Sequence, residues 1–300
     1  MKQELTALSG RRYVFTSDRY FTPPGKFSVT FKGVDEQGNV VLLKKVLAGF
    51  IENEITMPVR HPAIVPVTDV IRDGQDVYLV QAFKEGMNLR NYGAAYKSKH
   101  PVTEVQLGEV FFSIVDALGA MHNAGWMHGD VKPGNIILDF SDRSHVQSWL
   151  VDFGKASPIG RSGGGDESFS LLYSAPERVL RETDLVDASS DFYALGVTLY
   201  ELLERRVPFR HSNPELLLHL MINQPLPVPR YIPKDLFEVI RKMTFKAQFA
   251  RPAHLLSREE RRGEMISAIR QRYMSAEELK SDLQTAWTTF KYPRPWWKLR

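Results

Sequence analysis

A run of eight residues, His128-Gly129-Asp130-Val131-Lys132-Pro133-Gly134-Asn135, is followed seventeen residues after the Asn by Asp152-Phe153-Gly154. The run puts a carboxylate, a lysine and an amide side chain on one tight loop. What surrounds it constrains how the chain can fold. Leu107, Phe111, Ile114, Leu118 and Met121 recur at spacings of four and three, the buried face of a helix that leads into the His128 loop. Ile136 to Phe140 and Ser148 to Asp152 are short apolar runs joined by the polar Ser141-Asp142-Arg143-Ser144. A hairpin there delivers Asp152 beside Asn135. Phe192 to Leu203 is apolar on nearly every side, which predicts a central buried helix.

Upstream the period changes. Phe27, Val29 and Phe31 alternate with Ser28, Thr30 and Lys32, the pattern of a half-buried strand, and Gln37-Gly38-Asn39 turns it into a second strand through Val40-Val41-Leu42-Leu43-Lys44-Lys45. Val77 to Phe83 reads as another strand, entered through the turn Arg72-Asp73-Gly74-Gln75, and Lys84-Glu85-Gly86 after it reads as a hinge. Strands first and helices after is an α+β order.

Composition narrows the function classes. With 300 residues, 43% hydrophobic and 25% charged, the chain can bury a large core. The absence of cysteine excludes disulfides, thiolate metal sites and thiol catalysis. No apolar run is long enough to span a bilayer, and Met1-Lys2-Gln3-Glu4-Leu5 lacks the apolar stretch of a signal peptide, so a cytoplasmic location is expected. A net charge of +4 is too slight to imply a nucleic-acid partner.

Two carboxylates, an amide and a lysine are what phosphoryl transfer from ATP requires: one Asp to take the hydroxyl proton, an Asp and an Asn to hold magnesium, and a lysine to offset charge. The loop resembles the H-R-D-x-K-x-x-N and D-F-G signatures of the eukaryotic-type serine/threonine protein kinase family. Ala175-Pro176-Glu177 resembles a third signature, Asp191-Phe192-Tyr193-Ala194-Leu195-Gly196 a fourth, and the strand through Lys44 a fifth. Their order covers nearly the whole chain. The resemblance implies a two-lobed fold, with a small β-rich N-lobe over residues 1–84, a larger helical C-lobe over 85–290 and a basic aromatic tail over 291–300.

It also implies roles. Asp130 is expected to be the catalytic base, and Lys132, which resembles the serine/threonine branch, to reach the γ-phosphate. Asn135 and Asp152 are the expected magnesium ligands, oxygen donors suited to a hard cation. Lys44, by match to the family's V-V-A-L-K-K, is expected to pair the α and β phosphates, with Lys45 facing the other way. Its partner is expected to be Glu52, counted back from His61-Pro62-Ala63-Ile64-Val65, with Glu54 the alternative. Ala82 and Phe83, before the hinge, and Gly25 are expected at the nucleotide. Ser170, three before Tyr173, is expected to contact Asp130 and Lys132, and Glu177 to pair with Arg251. The residues between Arg251-Pro252 and Ser275-Ala276-Glu277-Glu278-Leu279 are extra relative to the family and read as a surface helix.

The chain departs from the family in three places. Where a glycine-rich loop is expected stands Pro23-Pro24-Gly25-Lys26-Phe27-Ser28, with fewer backbone N–H groups for phosphates. Leu42 replaces a small Ala, and Gly129 replaces the Arg of H-R-D. These leave two other classes open: a pseudokinase or scaffold, and a small-molecule kinase, although the latter lacks Ala-Pro-Glu and the lysine at position 132. Protein Ser or Thr hydroxyls are the expected acceptors. The tail through Trp296 and Trp297 reads as a membrane-surface or partner contact, or as packing against the larger lobe.

Overall fold

Alternation at the start of the chain builds a six-stranded antiparallel sheet. The computed structural model describes residues 2–21, 28–46, 57–92, 103–142, 144–160, 170–249 and 255–290. Strands β1 (Lys2–Thr6), β2 (Arg12–Thr16), β3 (Ser28–Asp35), β4 (Val40–Val46), β5 (Val67–Asp73) and β6 (Asp76–Ala82) stand in the order β1-β2-β3-β4-β6-β5. A bridge from Ala7 to Ile71 joins the two ends, so the sheet curls on itself. Inside the curl lie Tyr13, Phe15, Phe31, Leu43, Tyr78 and Val80, with the Phe15 and Phe31 rings 5.0 Å apart. The first two strands were not read from the sequence, although Tyr13 and Phe15 alternate with polar neighbours and are both buried.

The turn at Gln37-Gly38-Asn39 forms because the Asp35 carboxylate accepts from the Gln37 and Asn39 N–H groups at 2.9 and 2.8 Å, while Gly38 takes φ +83°. Strand β4 pairs with β3 and β6 in a register that sets Lys44 opposite Thr30 and Leu79. Val41 and Leu43 face the buried interior, so Leu42 and Lys44 share the other face.

Beyond the hinge the chain turns helical. Gly86 there has φ +119°, and a Cβ on it would stand 2.0 Å from the Leu138 carbonyl oxygen. Helix α1 (Glu104–Asn123) begins at a capping box, Thr103 with Gln106, and buries Leu107, Phe111, Ile114, Leu118 and Met121 as their spacing predicts. It runs into strand β7 (Trp126–Met127) and the His128 loop. Strands β8 (Ile136–Asp139) and β9 (Gln147–Leu150) form the expected hairpin, and β10 (Ser157–Pro158) returns to β7. Helix α2 (Pro176–Val179) is followed by α3 (Ala188–Glu204), almost entirely buried, and then by α4 (Pro214–Asn223), α5 (Lys234–Met243), α6 (Arg258–Ile269) and α7 (Ala276–Thr288). One large core runs through the helical part, from Phe111 and Leu118 through Phe192 and Leu199 to Leu279 and Trp287, and a smaller one gathers Ala247, Met265 and Ala268. A curled sheet followed by a helical body is the two-lobed α+β architecture that the resemblance implied. Among the described residues, no helix is long and apolar enough to cross a membrane.

One pairing differs from expectation. Glu177 is fully enclosed and its carboxylate meets Arg272, where Arg251 was expected. The extra residues precede the arginine of this pair instead of following it, and Arg251 lies outside the described residues. Contiguity was the better sequence signal: Arg272 stands three residues before Ser275-Ala276-Glu277, and Tyr273 replaces the proline that drew attention to Arg251-Pro252. The expected surface helix is α6, which buries only Met265, Ala268 and Ile269.

Candidate active site

The His128 loop is held from below by one carboxylate. Asp191, in the first turn of α3, accepts from the His128 N–H at 2.8 Å and the Gly129 N–H at 2.9 Å, and its Oδ2 lies 3.0 Å from His122 Nε2. Burial works to raise its pKa, but these partners hold it down at about 2, so the anchor stays charged. His128 is wholly enclosed, and burial pushes its pKa down. Its Nδ1 accepts from the Asp130 N–H at 3.2 Å, which leaves Nε2 to donate to the Val151 carbonyl at 3.2 Å. The same ring packs on Phe153, centroid to centroid 5.0 Å. A neutral histidine thus ties the loop to the segment that carries Asp152.

On that footing six of the residues singled out in the sequence come together, Asp130, Lys132, Ser170, Asn135, Asp152 and Lys44. Asp130 is 7% exposed, with Lys132 Nζ 2.6 Å from Oδ2 and Lys155 Nζ 3.1 Å from Oδ1. Burial acts to raise the Asp130 pKa and the two ammonium groups outweigh it, so the carboxyl is held below its usual range. Lys132 also donates to Ser170 Oγ at 2.9 Å, the contact expected of that serine. Asn135 turns its Nδ2 to the Asp130 carbonyl at 2.9 Å, which leaves Oδ1 as the atom that can turn to a cation. Asp152 sits at φ +65°, a left-handed conformation that Asp tolerates better than most residues. Its Oδ1 accepts from Lys44 Nζ at 2.6 Å, an ion pair between residues 108 apart in the chain. Burial opposes ionisation of Asp152 and Lys44 overcomes it, for a pKa of about 2.

Of the two adjacent lysines, Lys44 is the one that reaches Asp152. Lys45 points the other way and pairs with Asp76 at 2.6 Å. Ala82 ends β6 and is exposed, and Phe83 donates its N–H to the Val40 carbonyl at 3.3 Å. The Phe83 ring meets Phe21 edge-on at 5.5 Å and lies under Lys32 Nζ at 3.9 Å. Gly25, Glu52 and Glu54 lie outside the described residues, as does the tail from 291 to 300 with Trp296 and Trp297.

Two residues at this site had no sequence signal. Lys155 follows Asp-Phe-Gly directly, and Arg178 follows Ala-Pro-Glu. Arg178 Nη1 donates to the Gly129 carbonyl, and its Nη2 stands 3.6 Å from Met127 Sδ. Nothing in their spacing announces a partner that lies 25 residues away, as Asp130 does from Lys155, or 49 away, as Gly129 does from Arg178.

Comparison with known proteins agrees with this geometry. The family model described as protein kinase domain matches residues 24–260. The chain is 29% identical to serine/threonine-protein kinase PrkC of Bacillus subtilis over 234 residues, which are 75% of this chain and 31% of that protein. It is 30% identical to serine/threonine-protein kinase PkaA of Streptomyces coelicolor over 206 residues, 67% of this chain and 37% of the other. Against serine/threonine-protein kinase PknB of Mycobacterium tuberculosis the identity is 32% over 179 residues, 57% of this chain and 27% of the relative. The chain therefore spans about a third of the length of these curated relatives.

Proposed function

This chain belongs to the protein kinase family, and we propose that it is a serine/threonine protein kinase that transfers the γ-phosphate of ATP to Ser or Thr hydroxyls of a protein. The observation that carries the reading is the joint placement of Asp130, Lys132, Asn135, Asp152 and Lys44 on one side of the His128 loop. Asp130 is the base that orients and takes the proton of the acceptor hydroxyl. Its depressed pKa keeps it ionised at neutral pH, ready to accept. Lys132 lies between Asp130 and Ser170, where its charge offsets that of the transferred group.

The donors present fit magnesium. Asp152 and the Asn135 Oδ1 are oxygen ligands, and a cation that keeps several waters and shares substrate phosphates needs few protein groups. When bound there, magnesium offsets negative charge on the phosphates. Lys44 holds Asp152 in place and lies where an α- or β-phosphate can share its ammonium group. Ala82 and Phe83 are read as the residues at the nucleotide, together with Gly25 and Glu52, which lie outside the described residues. The lobe boundary falls after residue 84, at the hinge. The partner is a protein substrate, and no nucleic acid is involved; the protein works in the cytoplasm, and the tail over 291–300 offers a contact for a partner or a membrane surface.

The test is transfer of radiolabelled phosphate from ATP to a generic protein substrate, wild type beside Asp130→Asn. Transfer by the wild type and its loss in the variant is the expected result. A catalytically silent scaffold is the competing reading, favoured by Pro23 and Ser28 in the place of glycines, and an inert wild type would establish it.

A further inference from the structure

The residue that departs from H-R-D has a structural consequence around Asp130. Gly129 adopts φ +75°, and a Cβ built on it would stand 2.6 Å from the Lys155 carbonyl oxygen and 3.0 Å from Arg178 Nη2. Only a residue without a side chain lets the backbone of Lys155 lie this close. That approach is what brings the Lys155 ammonium to Asp130 Oδ1. The segment that carries Lys155 is fixed on both sides of it. Ala156 N–H donates to the Phe153 carbonyl at 2.9 Å, Ser157 and Pro158 pair with Met127 and Trp126, and Ile159 N–H donates to the Gly125 carbonyl at 2.8 Å.

We propose that Lys155 is a positioning residue for the phosphoryl transfer read above, locking the Asp130 carboxylate in the orientation that meets the acceptor hydroxyl, and that Gly129 is glycine because the lock needs its space. The argument is rotational. A carboxylate turns about its last torsion in a broad, roughly two-fold well, so contacts on Oδ2 alone, from Lys132 Nζ at 2.6 Å and the Asn135 Nδ2 at 3.4 Å, leave the plane of the group loosely set. A second ammonium on Oδ1, held by a backbone that cannot drift, removes that freedom. Lys132 also serves Ser170, so it is the weaker of the two as a fixed point. The charge here comes from the chain itself.

The inference rests on the kinase reading, and the measurement separates the two. Steady-state kinetics are compared for wild type, Lys155→Met, Lys155→Arg, Gly129→Ala and the double variant Gly129→Ala/Lys155→Met, with nucleotide affinity by calorimetry as the check on folding. Lys155→Met is expected to lower kcat by about 10 to 100-fold, the scale of a misplaced reacting group, with the KM for ATP unchanged. Lys155→Arg is expected to recover most of the loss. Gly129→Ala is expected to reproduce it, and the double variant to be no worse than either single change, because both remove one contact. A wild type without turnover sinks the kinase reading. An active wild type overturns the inference alone if Lys155→Met keeps or raises kcat, if kcat and the KM for ATP change together, or if the two substitutions multiply.

Discussion

Arg272 and Glu177 form a buried, two-pronged ion pair: Nη1 lies 2.6 Å from Oε1 and Nη2 3.0 Å from Oε2, across 95 residues of chain. The remaining valences are used as well. Arg272 Nε donates to the Phe245 carbonyl at 2.7 Å, and Ser190 Oγ donates to Glu177 Oε1 at 2.8 Å. The pair joins α2 to the turn between α6 and α7.

Removing one partner of a buried pair strands the other, at a cost of about 3–5 kcal/mol. Arg272→Ala is therefore expected to lower the urea midpoint sharply, and Glu177→Met with Arg272→Met to recover much of it. The pH dependence follows from Glu177. Burial acts to raise its pKa, and Arg272 depresses it further than burial raises it, below the usual 4.5. A depressed carboxylate contributes stability above its unfolded pKa and loses it as pH falls through the folded value. Chemical denaturation is expected to show this loss in wild type as pH falls below 4.5, and Glu177→Met/Arg272→Met to be flatter over the same range.

Lys44→Met is expected to lower kcat/KM at least 100-fold, because it removes the ammonium held against Asp152. Lys45→Met is expected to stay within about threefold, since its pair with Asp76 is half exposed and such pairs contribute about 0.2–1 kcal/mol to stability. The kinetics of the two variants, measured side by side, check the assignment. A reversed order would mean that the cleft is approached from the other face of β4.

Asp152→Asn keeps a residue that tolerates the left-handed backbone while removing the charge. Phosphoryl transfer is expected to fall below about 1% of wild type, with the circular dichroism spectrum unchanged. Retained activity would remove Asp152 from the mechanism. Lys44 holds the Asp152 carboxyl well below the usual carboxylate range, so an acid limb in the wild-type rate above pH 4 is expected to come from another group.

Phosphorylation of the segment after residue 160 is expected to be dispensable. At position 129 there is no side chain to pair with a phosphate, and Arg178 beside it is engaged with the Gly129 carbonyl. Ser157 is only 9% exposed and paired in β10, so Ser162 and Ser168 are the serines to test. The double variant Ser162→Ala/Ser168→Ala is expected to keep turnover within tenfold of phosphatase-treated wild type. A larger loss, worth more than about 1.4 kcal/mol, would mean that a cation such as Lys155 receives a phosphate there.

Nucleotide affinity is expected to be modest. Pro23 has no N–H, and Ser28 stands where the family has glycine, so fewer backbone donors are available to phosphates. Calorimetry is expected to give a dissociation constant for ATP in the upper part of the roughly 1 μM to 1 mM range. A value in the low micromolar range would show that other groups make up for the lost donors.

How much of this was legible in the sequence depended on the reach of the interaction. The face of α1, the hairpin that presents Asp152, the buried α3 and the turn at Gly38 follow from periods of two or 3.6 and from turn chemistry, which neighbouring residues decide among themselves. The order of the signatures placed Asp130, Lys132, Asn135 and Asp152 on one loop system for the same reason, since the loop and hairpin that hold them are local. Register along β4 was legible too, because adjacent strand residues must face opposite ways. Partners far apart in the chain were not. Charge alone does not choose between arginines as the partner of Glu177, and the tertiary structure brings it Arg272, from the turn between α6 and α7. Lys155 and Arg178 carry no pattern in their own neighbourhood. Their positions became meaningful only when folding laid the Lys155 backbone against Gly129, a contact set by the space that a missing side chain leaves.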